Sequence, residues 1–158
     1  MTTELKLIFT TANAGAPLVP VEEAMLEAGR GLVGDRYYRS SGTFSEKLKG
    51  QADSELTLIE AEEINNFNRE SELSLGYGEF RRNLITAGVR LNDLVGRQFR
   101  VGESLLEGIR LCEPCAYLAK TVAKEVLPGL VHRAGLRARI LEGGTVRPGD
   151  SISLIDEN

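Results

Sequence analysis

Turn-forming residues recur so often beyond Leu91 that long helices have little room between them. Asn92-Asp93, Gly96, Gly102-Glu103, Gly108, Gly135, Gly143-Gly144 and Pro148-Gly149-Asp150 separate short apolar runs, and turns at this spacing favour β structure. Gln98 to Val101, Leu105 to Leu111, Leu136 to Leu141 and Ser151 to Ile155 are the predicted strands, with a hairpin-like turn at Gly143-Gly144 between the last two. Within Leu136-Arg137-Ala138-Arg139-Ile140 the alternation puts Arg137 and Arg139 on one face, either towards solvent or as a pocket wall. Upstream, Leu5 to Thr10 reads as a first strand and Ala12 to Pro17 as a turn-rich connection. Gly31 and Gly34 around Asp35-Arg36 indicate a tight backbone. Ser40 to Asp53 is polar, without periodicity, and reads as a loop able to cover a ligand. Leu56 to Ile59 is a short buried strand, followed at once by Ala61, Ile64 and Phe67 at helical spacing, and Phe80 to Thr86 is an arginine-bearing strand ended by Gly88. Many short strands with two convincing helices predict a mainly β fold, a closed or nearly closed β-barrel rather than a doubly wound parallel sheet.

A chain of 158 residues is expected to form one domain, residues 1–158, with a core that needs no disulfide staple or metal. Met1 to Ala16 carries no basic leader region, and no stretch reaches the ~20 apolar residues that span a bilayer, so a cytoplasmic protein without membrane contact is expected. Two cysteines only three residues apart cannot build a secreted disulfide framework, which fits a reducing compartment. The net charge of −4 argues against a broad nucleic-acid surface. Much of the acid sits in one helix-like stretch, Glu60, Glu62, Glu63, Glu70 and Glu72 against Arg69. The remainder is nearly neutral and rich in arginine: Arg36, Arg39, Arg81, Arg82, Arg133, Arg137, Arg139 and Arg147. Guanidinium groups suit planar, bidentate recognition of phosphate or carboxylate, so a small anionic ligand would match them; solvated surface ion pairs are the alternative.

Cys112-Glu113-Pro114-Cys115 stands where an alternating run gives way to helical spacing at Leu118, Val122 and Val126, which Pro128-Gly129 stops. With Pro114 at the first helical position, Cys115 falls in the opening turn, where unsatisfied backbone N–H groups favour an anion and lower a thiol pKa. Cys115 is therefore the candidate nucleophile or ligand, whereas Cys112 alternates within the strand and faces the core; inert burial of both is the competing account. The C-x-P-C form is shared with thioredoxin-like sites, which makes a dithiol oxidoreductase using Cys112 and Cys115 the alternative function, although such motifs follow an early strand in a shorter βαβ pattern. A zinc site would lack ligands, with no second cysteine pair and one distant histidine. His132 is the only histidine, so a His-rich metal site or triad is excluded by count, leaving a general base or a packing residue beside Arg133.

The order of these segments resembles one family, the MOSC domains, named for the C-terminal domain of molybdenum cofactor sulfurases. The likeness is carried by Gly31-Leu-Val-Gly-Asp-Arg36, Leu56-Thr-Leu-Ile-Glu60, Phe80-Arg-Arg-Asn-Leu84, Leu94 to Gly102, Cys112-Glu-Pro-Cys115, and Gly135 to Asp150. It implies a barrel-like, strand-rich fold whose hallmark cysteine, matched by Cys115, carries sulfur as a persulfide or binds the molybdenum of a pterin cofactor. It further implies that Arg81 and Asn83, matching an Arg-x-Asn segment, lie near the cofactor's phosphate and metal, with Arg36 of the Gly-Asp-Arg element assisting. Pyridoxal phosphate enters only at family level, through a desulfurase. Since the chain carries no desulfurase or reductase portion of its own, a cysteine desulfurase or molybdoenzyme partner is expected to supply sulfur or electrons.

Overall fold

The computed structural model describes residues 3–13, 15–38, 55–114 and 116–155. Strand β1 (Glu4–Thr10) is followed by β2 (Val19–Val21), β3 (Ala24–Glu27), β4 (Gly31–Leu32) and β5 (Leu56–Glu60). Helix α1 (Ala61–Ser71) and a 3-10 turn at Tyr77–Phe80 lead to β6 (Leu84–Ala87); a second 3-10 turn at Leu91–Leu94 precedes β7 (Gln98–Val101) and β8 (Ser104–Leu111). Two short helices, α2 (Ala116–Thr121) and α3 (Val126–Gly129), come before β9 (Leu136–Glu142), β10 (Gly144–Val146) and β11 (Ile152–Leu154). The fold is mainly β with few helices, as the turn spacing predicts.

One sheet has eight strands in the order β11-β7-β8-β9-β5-β6-β1-β2, and a second has three, β10-β3-β4. β5 lies inside the large sheet, antiparallel to β9 and parallel to β6. Leu56 to Ile59 are all buried, Thr57 included, as a strand covered on both faces requires. A parallel neighbour needs a crossover, and α1 with the following turn supplies it. Ala61, Ile64 and Phe67 of α1 are buried, and Phe67 meets Phe80 edge-on at 5.8 Å.

Alternation along the strands feeds two cores. Ile8, Leu58 and Leu84 join Phe99, Leu106 and Leu136 on one side of the sheet. Their neighbours Phe9, Ile59 and Ile85 point the other way, to Phe67, Phe80, Leu118, Val126 and Leu130. The second core fixes α1 and the segment bearing the cysteine motif to the same sheet face.

Four expectations need correction. The large sheet does not close into a barrel, because β11 and β2 remain its ends; one isolated bridge, Glu4 to Ser151, and bonds such as Leu5 N–H to the Asp150 carbonyl at 2.8 Å draw β1 towards β11 without a continuous ladder. Gly143-Gly144 is no hairpin: β10 pairs with β3, so the chain crosses there from the large sheet to the small one. Phe80 to Thr86 is not one strand, since Arg81 adopts a left-handed backbone (φ 65) and β6 starts only at Leu84. Finally, the helix expected through Val126 is split into α2 and α3, and it begins at Ala116 rather than at Pro114. The proposed lid, Ser40 to Asp53, lies outside the described residues, as does Arg39.

Candidate functional site

The turn after β4 supplies the first anchor. Gly34 has φ 92, the left-handed region that glycine enters without steric cost, and the turn places Asp35 and Arg36 in the interior at 1% and 5% exposure. Asp35 Oδ1 accepts from Thr10 Oγ1 (3.1 Å), the Thr11 N–H (3.2 Å) and Arg36 Nη1 (3.2 Å), while Oδ2 accepts from the Tyr37 N–H. A buried charge pair survives desolvation only with this many additional bonds. Arg36 Nη2 donates in turn to the Arg81 carbonyl at 3.3 Å. The two arginines that the sequence places 45 residues apart are therefore interlocked.

Arg81 is buried and its Nη1 donates to the Ala16 carbonyl at 2.9 Å. It borders a cavity of about 560 Å³ whose walls include Phe9, Leu18, Tyr77, Gly78 and Val122. A Cβ on Gly78 would meet the Phe9 ring at 2.8 Å, so glycine there lets the aromatic wall pack closely. Val122 belongs to the chain between β8 and β9, which carries the cysteine motif. The cavity thus joins the arginine turn to the cysteine segment. Its size lies within the ~300–1,000 Å³ typical of small-molecule sites, and its lining sets Arg81 and Glu79 beside the rings of Phe9 and Tyr77.

Asn83 is placed differently. Its Oδ1 accepts from Thr57 N–H (3.3 Å) and Thr57 Oγ1 (3.2 Å), and its Nδ2 donates to the Phe9 carbonyl at 3.2 Å. At 2% exposure it ties β5 to β1 from inside. Arg82, which the sequence gives no special role, bolts the cysteine segment to the sheet. Its Nε donates to the Ala134 carbonyl (2.9 Å) and Nη2 to the Cys112 carbonyl (3.2 Å). The Cys112 N–H donates to Gly135 O at 2.8 Å. Cys112 itself is 3% exposed, in the core as expected. Cys115 lies outside the described residues, and among the described residues no group of three or more His, Cys, Asp and Glu side chains could hold a metal. Helix α2, with six residues, is shorter than the dipole argument for the thiol assumed.

Three further arginines are paired elsewhere. Arg133 pairs with Glu63 (3.1 Å) and Glu70 (3.2 Å), Arg139 with Glu107 (3.0 Å) and Arg147 with Glu23 (3.1 Å). These are the surface ion pairs of the alternative account.

Two glutamates of the acidic stretch, Glu60 at the end of β5 and Glu62 in the first turn of α1, bond to the segment that follows β6. Glu62 accepts from the Gly88 N–H at 2.7 Å and Glu60 from the Leu91 N–H at 3.3 Å. Burial pushes the Glu60 carboxyl up to about 7; the Leu91 N–H and Arg90 oppose this, while Glu63 and Glu62 add to it. Because its folded pKa exceeds the unfolded value of 4.5, the folded state holds the proton longer than the unfolded chain. The resulting penalty is absent below the unfolded value, grows between there and about 7, and is complete above. Glu60→Gln, which keeps an acceptor for Leu91, should therefore gain stability over the native protein as pH rises from about 5 to 8. The gain should reach about 1–2 kcal/mol, after allowance for screening of a half-exposed group. Urea unfolding of both proteins across that range checks it.

Among solved structures the fold is similar to the YuaD protein of Bacillus subtilis, with TM-score 0.81 and 14% identity, covering 100% of this chain and 98% of that one. It is also similar to YiiM of Geobacillus stearothermophilus (TM-score 0.73, 15% identity, 98% of this chain and 75% of that one). For YiiM of Escherichia coli the values are 0.70 and 21%, covering 100% and 71%. At these identities the likeness is one of fold. No curated protein matches the sequence significantly. The family model described as the MOSC domain matches residues 45–153, more than half of the chain and including the Arg81 turn and the cysteine motif, and the chain accordingly belongs to the MOSC domain family.

Proposed function

We propose that this protein binds a molybdenum cofactor or carries sulfur for one, with Cys115 as persulfide carrier or metal ligand and Arg81, braced by Arg36, holding the cofactor's phosphate. The family's association with molybdenum cofactor binding and sulfur carriage supports the reading. The observation that carries it is the cavity lined by both Arg81 and Val122, the latter seven residues beyond Cys115 in the sequence. A molybdenum–pterin group, when bound, would supply the metal's redox and ligand-exchange chemistry. The chain's own contribution would be a guanidinium for the phosphate, the cavity-lining rings of Phe9 and Tyr77, and a soft thiolate. Asn83 acts by holding the Thr57 backbone and so the arginine turn.

As a sulfur carrier, the Cys115 thiolate attacks the outer sulfur of a partner's persulfide. The partner's S–S bond breaks, a new one forms at Cys115, and the partner leaves as a thiolate, with no net oxidation. A cysteine desulfurase, with its own pyridoxal phosphate, is the partner class this step calls for. The dithiol alternative is weakened by Cys112, which is buried and held at both its N–H and its carbonyl. Mass spectrometry after incubation with a cysteine desulfurase and L-cysteine tests the proposal. An added sulfur should be present in the native protein and in Cys112→Ala and absent from Cys115→Ala; molybdenum should co-purify in an Arg81-dependent manner if the cofactor is bound. Absence of both sulfur adduct and metal from the native protein refutes the assignment.

A further inference from the structure

Glu113 grips His132 twice. The His132 N–H donates to Oε1 at 2.6 Å, and ring Nδ1 lies 2.5 Å from Oε2. Asn92 Nδ2 donates to the His132 carbonyl at 2.9 Å. His132 also has φ 61, a left-handed backbone that costs a non-glycine residue about 1 kcal/mol. Backbone donor, backbone acceptor and one ring nitrogen are thus committed to two other segments, although the side chain is 72% exposed. With Nδ1 donating to the carboxylate, the neutral ring keeps its lone pair on Nε2.

That ring lines a cleft of about 320 Å³ with Glu60, Glu63, Arg90, Asn92 and Arg133. None of these residues borders the Arg81 cavity. The cleft presents both signs of charge. Glu63 is occupied by Arg133, which also reaches Glu70. Arg90 is exposed, paired with Asp93 at 3.5 Å and near enough to Glu60 to act on its charge, and is able to exchange the Asp93 contact for a ligand. Glu60 accepts from the Leu91 N–H and, although Arg90 is near enough to favour its charge, forms no ion pair among the described residues, so an ammonium group would supply one.

We propose that this cleft is a second binding site, for a zwitterion of amino-acid size: ammonium towards Glu60, carboxylate on Arg90, and a side-chain donor such as a thiol bonded to Nε2 of His132. Glu113 is a positioning residue, fixing the tautomer that makes Nε2 an acceptor. Because the Glu60 carboxyl titrates near 7 among Glu62, Glu63 and Arg90, ammonium binding strengthens as pH rises through neutrality. The inference does not depend on the role of Cys115.

A single histidine gives unambiguous ring signals in proton–nitrogen NMR. L-cysteine under reducing conditions and L-alanine should both shift them saturably, with propionate and ethylamine at least about tenfold weaker. Glu60→Gln should weaken both amino acids by about tenfold. Glu113→Gln, checked for an otherwise unchanged spectrum, should move ring nitrogen shifts towards the other tautomer and erase the preference for L-cysteine over L-alanine. Should Glu113→Gln unfold, Glu60→Gln and the half-charged probes still decide the question. Ring signals unmoved by either amino acid, or moved equally by propionate, overturn the proposal.

Discussion

Gly135→Ala is expected to remove a large share of the protein's stability, roughly 3–5 kcal/mol out of the ~5–15 available to a domain. Gly135 has φ 115, and a Cβ there would lie 2.0 Å from the Leu58 carbonyl oxygen and 3.1 Å from its carbon. Both are backbone atoms of β5, an interior strand, so no side-chain rotation relieves the clash. Gly135 O also accepts the Cys112 N–H, and displacing it opens the base of the cysteine segment. Gly29→Ala is the control: φ is 79 but nothing lies within 4 Å, so only backbone strain of about 1 kcal/mol applies. Urea midpoints should separate the two variants clearly, and a Gly135→Ala protein as stable as Gly29→Ala would show that β5 and β9 can part more readily than the close contact implies.

Asn83→Ala should cost about 2–4 kcal/mol in protein free of any cofactor. The change takes the side-chain acceptor from the Thr57 N–H and hydroxyl and the amide donor from the Phe9 carbonyl, leaving the hydroxyl only the bond it accepts from the Asn83 N–H. Thermal unfolding of ligand-free protein reads this directly. An Asn83→Ala protein that melts like the native one, yet fails to hold cofactor, would return the residue to a ligand-contacting role. A loss of both, with Asn83→Ala cofactor binding recovering when the protein is stabilised by osmolyte, would match the tie seen between β5 and β1.

Much of the architecture is legible in sequence because it follows from local patterning. The alternation in β9 and the short buried run Leu56 to Ile59 of β5 each reflect a burial pattern within one strand, and both match. Failures cluster where partners are remote. Nothing near Gly143-Gly144 announces that β10 will pair with β3, more than a hundred residues earlier. Nor does Phe80 to Thr86 reveal that Arg81 turns left-handed to meet Ala16 and Arg36, although Gly76 and Gly78 just before it were a turn signal available to read. Arg36 and Arg81 do stand out from sequence, through the family motif, and they interlock. The Glu113–His132 pair does not, because the two residues lie on either side of α2 and α3, 19 positions apart, and only the packing of those helices brings them together.

The position of β5 also bears on how the protein emerges from the ribosome. Its parallel partner, β6, is made soon after it, but its other neighbour, β9, spans residues 136–142. Until that stretch leaves the exit tunnel, this interior strand exposes a bare row of amide and carbonyl groups on one side, the arrangement that recruits other nascent chains. Translation slowed between residues 60 and 136 would prolong that exposure, so yield in a cell should depend on elongation speed and on holding chaperones far more than equilibrium stability would indicate.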